Sequence, residues 1–186
     1  MNVEPMNAPN LFLIGYRCTG KSSVGRSLAA TLGRSFIDTD SLVVSENGMS
    51  IREIVVSRGW EAFRRLEHTT LQQVCTMGRR VVATGGGIVL DADNVKLMKK
   101  NGRIIWLKAS SETIKARMLQ DQTSEALRPA LTSTDSISEI EETLAERVPL
   151  YQHAMDFSVD TDNVRLDAIA DFIIQNLNRL DPDKFC

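Results

Sequence analysis

From residue 11 to about residue 178, short apolar runs alternate with longer stretches of helical spacing. The run LFLIGY at 11–16 has almost no polar interruption, which suits a strand buried on both faces. A glycine-rich turn follows, and helical spacing then holds over 22–32 until Gly33 stops it. SFI at 35–37 is a second short strand, running straight into Asp38. Apolar positions at helical spacing return from Ile51 to about Val74, interrupted at RGW, 58–60. RVVATGGG at 80–87 is rich in β-branched residues and ends in glycines, a third strand. A helix over 91–100 precedes RIIWLKA at 103–109, the fourth strand. In SSETIKARML, Ser110 or Ser111 can cap a helix whose first turn holds Glu112. The polar stretch 120–136 has no apolar periodicity and reads as a long mobile loop, a lid rather than a domain boundary. A helix over 136–147, a strand at 156–160 and an amphipathic helix over 164–178 complete the pattern. Strands alternating with helices predict an α/β fold in three layers, with a central, mainly parallel sheet of about five strands flanked by helices.

Composition narrows the function without naming it. The length of 186 residues fits one domain, 1–186, with a substantial core. A hydrophobic share of 42% and a charged share of 25% are those of an ordinary globular protein. A formal charge of −2 argues against nucleic acid or a membrane surface as the main partner. Cys18, Cys75 and Cys186 are scattered without metal-type spacing, which suits reduced thiols in the cytoplasm better than a disulfide framework. No apolar run reaches the length of a membrane span. Residues 1–9 lack the basic-then-apolar order of a signal peptide and read as a disordered lead-in.

The sharpest motif is GYRCTGKS at 15–22, which fits G-x-x-x-x-G-K-[ST] between a strand and a helix. Glycines let the backbone turn so that successive N–H groups converge on an anion, and the helix start adds its positive end. The cradle runs through Arg17, Cys18, Thr19, Gly20, Lys21, Ser22 and Ser23. Lys21 can reach the β- and γ-phosphates, and the Ser22 hydroxyl can bind Mg²⁺. The site therefore binds a nucleoside triphosphate. No N-K-x-D motif is present, so the chain does not read as a regulatory GTPase. Among the first four strands only the second ends in an acid, which makes Asp38 the outer-shell Mg²⁺ partner and leaves Asp40 for another task.

In DTD at 38–40, an extended backbone would send both carboxylates to one side, where like charges repel unless a cation or a substrate separates them. Open α/β sheets bind ligands beyond their C-terminal strand ends, and TGGG at 84–87 loads another such end. Three consecutive glycines are costly to order, and close backbone approach to a ligand explains them better than a tight turn alone. Arg64 and Arg65 point about 100° apart on a helix, so at most one faces the site. Trp60 can shape the same side; Trp106 reads as core, and His68 and His153 have no catalytic partner spacing.

Together the segments GYRCTGKSS, DTD, GMSIREIVVSRGWEAFRRLE, VVATGGGIVL, LRPAL and ERVPLYQHAMDFSVDT, in this order, make the chain resemble a shikimate kinase over nearly its whole length. The resemblance implies a fold similar to nucleoside-monophosphate kinases, with a mobile lid at 120–132 and a substrate-binding region at 38–75. It also implies phosphorylation of the shikimate 3-hydroxyl by MgATP to give shikimate 3-phosphate and ADP, a step towards the aromatic amino acids. By position, Asp40 matches the acid that holds the reacting hydroxyl, and Asp38 the acid near Mg²⁺. Arg64 and Arg147 match the carboxylate clamp, Gly85, Gly86 and Gly87 the backbone donors, and Arg128 the lid arginine on the ATP phosphates. The family implies a monomer with shikimate and ATP as its small-molecule partners. Two departures concern adenine: the segment between Arg117 and Arg128 is longer than in compact members, and Val164 stands where many members place an arginine. Two other readings remain open on the residues alone: another small-molecule kinase of this fold, gluconate-type or acting on a nucleoside monophosphate, and a non-catalytic nucleotide-binding module.

Overall fold

Alternation along the central strand decides the layering. In β1 (Asn10–Ile14) every residue is buried, and successive side chains face opposite sides of the sheet. Leu11 and Leu13 pack with Val24 and Leu28 of α1 (Lys21–Leu32) and with Ile173 and Leu177 of the last helix. Phe12 and Ile14 pack the other way, with Leu71, Val82, Trp106 and Tyr151. The two cores sandwich the sheet, as in any α/β protein covered by helices on both faces. These statements concern residues 9–120 and 137–181, which are those the computed structural model describes.

The chain runs on through β2 (Ser35–Asp38), α2 (Thr39–Asn47), α3 (Ile51–Cys75), β3 (Arg80–Ala83), a short 3₁₀ turn (Ile88–Leu90) and α4 (Ala92–Asn101). After these come β4 (Gly102–Lys108), α5 (Ser111–Gln120), α6 (Ile137–Ala154), β5 (Phe157–Asp160) and α7 (Leu166–Leu180). All pairings are parallel and the strand order is β2-β3-β1-β4-β5, with Leu13 opposite both Ala83 and Ile105. Strands β2 and β3 lie on one side of β1 and β4 and β5 on the other, so a crevice opens beyond the C-terminal end of β1.

Two expectations need correction. The extended backbone does not persist through 38–40: Asp38 ends β2 and caps α2, its carboxylate accepting from the Asp40 and Ser41 N–H groups at 3.1 and 3.2 Å. Capping turns the chain, and Asp40 leaves in a new direction on the first helical turn. Helix α6 continues past 147 to Ala154, with Pro149 inside it. The missing N–H and ring clash of Pro149 are offset by burying Tyr151 and Ala154 completely against the second core. The interruption expected at 58–60 is present, as a kink at Gly59, whose φ of 79° and ψ of 166° join two helical segments. Most of the 120–132 segment lies outside the described residues, as does Arg128. Among the described residues no helix is long and apolar enough to cross a membrane.

Candidate active site

The phosphate loop forms because three backbone positions allow it. Gly15, at φ 142°, lies so close to the Leu107 carbonyl that a Cβ has no room, while Cys18 and Gly20 adopt left-handed conformations. Thr19 Oγ1 donates to the Tyr16 carbonyl at 2.8 Å and ties the loop across itself. Lys21 Nζ donates to the Gly15 and Tyr16 carbonyls at 2.8 and 2.7 Å, so the ammonium is held over the loop that would wrap a phosphate. Ser22 Oγ donates to Asp38 Oδ2 at 2.7 Å and joins the loop to the end of β2.

Thr19, Lys21, Ser22 and Asp38 line a cavity of about 730 Å³, together with Cys18, Gly20, Ser23 and Arg26. Arg117 enters from α5, giving Nη1 to the Cys18 carbonyl at 3.2 Å and Nη2 to the Thr161 carbonyl at 2.7 Å. Val164, Leu166 and Ile169 form an apolar wall on the same cavity. The position with no matching arginine is thus a hydrophobic surface, 43% exposed at Val164, that a flat base can cover. Ser22 and Asp38 present hard oxygens towards the phosphate space, which fits a Mg²⁺ ion that takes few protein ligands. Among the described residues no group of three or more His, Cys, Asp or Glu side chains could cage a metal without such help.

A second, smaller pocket of about 70 Å³ adjoins it, and its chemistry is different. Asp40 reaches it from the first turn of α2, buried to 8% exposure. From α3 come Trp60, Phe63, Arg64 and Glu67, and from α6 comes Arg147. Arg64 sits over the Trp60 and Phe63 rings, 5.5 and 5.3 Å from their centroids, a placement the edge-to-face pair stabilises. Arg65 is 73% exposed, so the helix does turn one arginine of the pair inward and the other out. Arg147 lies over Tyr16 at 5.8 Å and completes the cationic rim. Gly85, Gly86 and Gly87 floor the pocket. A Cβ on Gly87 would fall inside the Arg64 guanidinium, and one on Gly85 would lie 2.5 Å from Glu67 Oε1 and 2.8 Å from Asp40 Oδ1. Gly85 and Gly87 are thus glycine because this chain's own charged side chains, Glu67, Asp40 and Arg64, close over them.

Two placements differ from expectation. Arg17, counted with the ATP cradle, lines the smaller pocket instead, because the loop turns its side chain towards Tyr16. Glu67 was missed: it is 1% exposed and accepts from Arg64 Nη1 at 2.6 Å, while its Oε1 has no hydrogen-bond partner among the described residues. Burial pushes its carboxyl up to about 7, Asp40 adds to the rise, and Arg64 and Arg147 oppose it. In sequence it looks like half of an ordinary i, i+3 surface pair. The signal lay in its neighbours: Phe63 and Thr70, on the same face of α3, are buried.

A triphosphate loop and a pocket with cations above an acid, meeting at the turn between Asp38 and Asp40, belong to the P-loop phosphotransferases that act on small molecules. Comparison with known proteins is more specific. The family model for shikimate kinase matches residues 17–178. A shikimate kinase of Syntrophus aciditrophicus is 40% identical over 174 residues, 89% of either chain. Shikimate kinase 2 of Photorhabdus laumondii is 45% identical over 141 residues, 76% of this chain and 80% of the relative. A solved structure of shikimate kinase from Acinetobacter baumannii in complex with shikimate superposes with a TM-score of 0.87 at 29% identity, covering 95% of this chain and 96% of that one. The chain belongs to the shikimate kinase family, with the ATP-using kinase activity that membership carries.

Proposed function

We propose that the chain moves the γ-phosphoryl group of ATP from the larger cavity to the 3-hydroxyl of shikimate held in the smaller one. The observation that carries this reading is the division at 38–40: Asp38 lines the triphosphate cavity and Asp40 the acceptor pocket, with only Thr39 between them. Arg64 and Arg147 hold the acceptor carboxylate, since planar forks suit a planar anion. Asp40 accepts a hydrogen bond from the reacting hydroxyl and takes its proton as the new P–O bond forms. Lys21 leaves its two loop carbonyls for the β- and γ-phosphates, and the N–H groups around Thr19 and Gly20 turn to the same oxygens. Mg²⁺, held through Ser22 with Asp38 behind it, supplies neutralising charge on the phosphates when bound. Because the transition state is loose, the chain contributes position and charge rather than covalent chemistry. Arg128 has the phosphate-contacting role that the family resemblance implies. The chain acts as a monomer, as the family resemblance implies.

The test is ADP release with MgATP across shikimate, quinate, gluconate, AMP and CMP, with Asp40→Asn beside the parent. Turnover on shikimate alone, reduced at least ~100-fold in the variant as for a lost general base, is the expected result. Turnover on a different acceptor would keep the phosphate loop and remove the acceptor assignment.

A further inference from the structure

Tyr151 has no part in the reading above, yet its ring is fully buried and its hydroxyl donates to the Gly86 carbonyl at 2.5 Å. The ring is itself fixed, stacked on Trp106 with centroids 5.6 Å apart and planes 23° from parallel. One turn earlier on the same face of α6, Arg147 sends Nη1 to the same carbonyl oxygen, a long contact of 3.5 Å. Gly86 is also backed by the phosphate loop, where a Cβ would meet the Gly15 carbonyl oxygen and the Arg17 nitrogen at 3.4 Å each. The peptide bonds are trans, and across a trans peptide the C=O and the next N–H point in opposite directions. Holding the Gly86 oxygen towards α6 therefore turns the Gly87 N–H away from α6. Gly87 lines the acceptor pocket, and its N–H donates to no described residue.

We infer that Tyr151 is a positioning residue: its hydroxyl anchors the peptide between Gly86 and Gly87 so that the Gly87 N–H donates to the bound acceptor. The inference rests on the acceptor being shikimate. A buried phenol needs a partner for its O–H, and a phenylalanine would pack against Trp106 equally well, so the hydroxyl is what the site adds. Burial also pushes the phenol pKa up, which keeps it a donor throughout the working pH range. The anchor couples the clamp to the floor, because Arg147 and Tyr151 share one carbonyl.

Tyr151→Phe keeps the ring and deletes the anchor. The expected result is an acceptor KM raised about 3- to 10-fold, the worth of one neutral hydrogen bond, with the ATP KM unchanged and the melting temperature close to the parent's. Trp106→Phe, which loosens the same ring but keeps the hydroxyl, should lower the melting temperature and leave the acceptor KM within about two-fold of the parent. In ¹⁵N-glycine-labelled native enzyme, the Gly87 amide resonance should move on adding shikimate. A Tyr151→Phe enzyme with the parent's acceptor KM, one in which both KM values and the melting temperature shift together, or a Gly87 resonance that stays still would each overturn the inference. A parent enzyme without turnover on shikimate would instead remove the underlying reading, so the two failures are told apart.

Discussion

A carboxyl group that is 1% exposed, with a guanidinium on one oxygen and a second carboxylate near the other, keeps its proton to a higher pH than an exposed acid. For Glu67 the value rises from 4.5 to about 7. The folded state therefore holds a proton that the unfolded chain has already released over that window. The stability it contributes is fully present below pH 4.5 and is lost as pH rises through about 7. Relative to a Glu67→Gln enzyme, the parent should lose melting temperature across that window; a difference that stays flat would show an ordinary carboxyl there. Arg64→Ala should weaken acceptor binding by roughly 1.5–3 kcal/mol, as for a charged hydrogen bond, and leave the ATP KM alone. Calorimetric titration with acceptor checks it, and unchanged affinity would remove Arg64 from the clamp. Much of this was legible at the residue scale. Lys21, Ser22, Asp38, Asp40, Arg64 and the triple glycine stand out because chemistry restricts which residues can occupy such spacings. Glu67 and Tyr151 do not, since a lone acid beside arginines and a lone tyrosine have common structural uses, and only burial separates them from those.

Elements bring these residues together, and Gly59 shows how narrowly. Its φ and ψ of 79° and 166° fall in a region that residues with a Cβ almost never occupy. The kink lets Ile51, Ile54 and Phe63 pack with Val43 of α2 while Trp60 and Arg64 reach the acceptor pocket, which Ile51 and Phe63 also line. Gly59→Ala should cost ~1–3 kcal/mol of stability and raise the acceptor KM, measured by urea unfolding and by kinetics on the same preparation. An alanine enzyme as stable as the parent would mean the kink is dispensable. The interruption was legible because RGW breaks a helical apolar spacing. Helix α2 was not, because TDSLVVSEN has no strong apolar face and its cap, Asp38, also ends a strand. The end of α6 was misjudged for a related reason. Local preference stops a helix near Pro149, whereas burial of Tyr151 and Ala154 carries it on, and burial is a tertiary quantity.

At the scale of the whole molecule, both pockets open at one end of one sheet, so ligand energy should be felt by the entire fold. At about 100 times its dissociation constant, MgATP should stabilise the native state by about 2.7 kcal/mol, seen as a rise in melting temperature. Lys21→Ala should abolish most of that rise and retain the rise produced by the acceptor; loss of both would mean the loop supports the smaller pocket as well. The order of the sheet was legible only as a class. Alternating strands and helices imply parallel pairing, but which strand neighbours which follows from contacts that no local pattern records. One further property follows from how the acceptor pocket is assembled. Asp40, Ile51, Trp60, Phe63, Arg64 and Glu67 all come from the single unbroken passage between β2 and β3, whereas the phosphate loop precedes β2. Half of the acceptor pocket's lining is thus encoded in one continuous length of gene, to which Tyr16, Arg17, the three glycines and Arg147 are added from elsewhere. A recombination that exchanges the passage between β2 and β3 would carry that half of the lining with it, and the phosphoryl donor would stay the same.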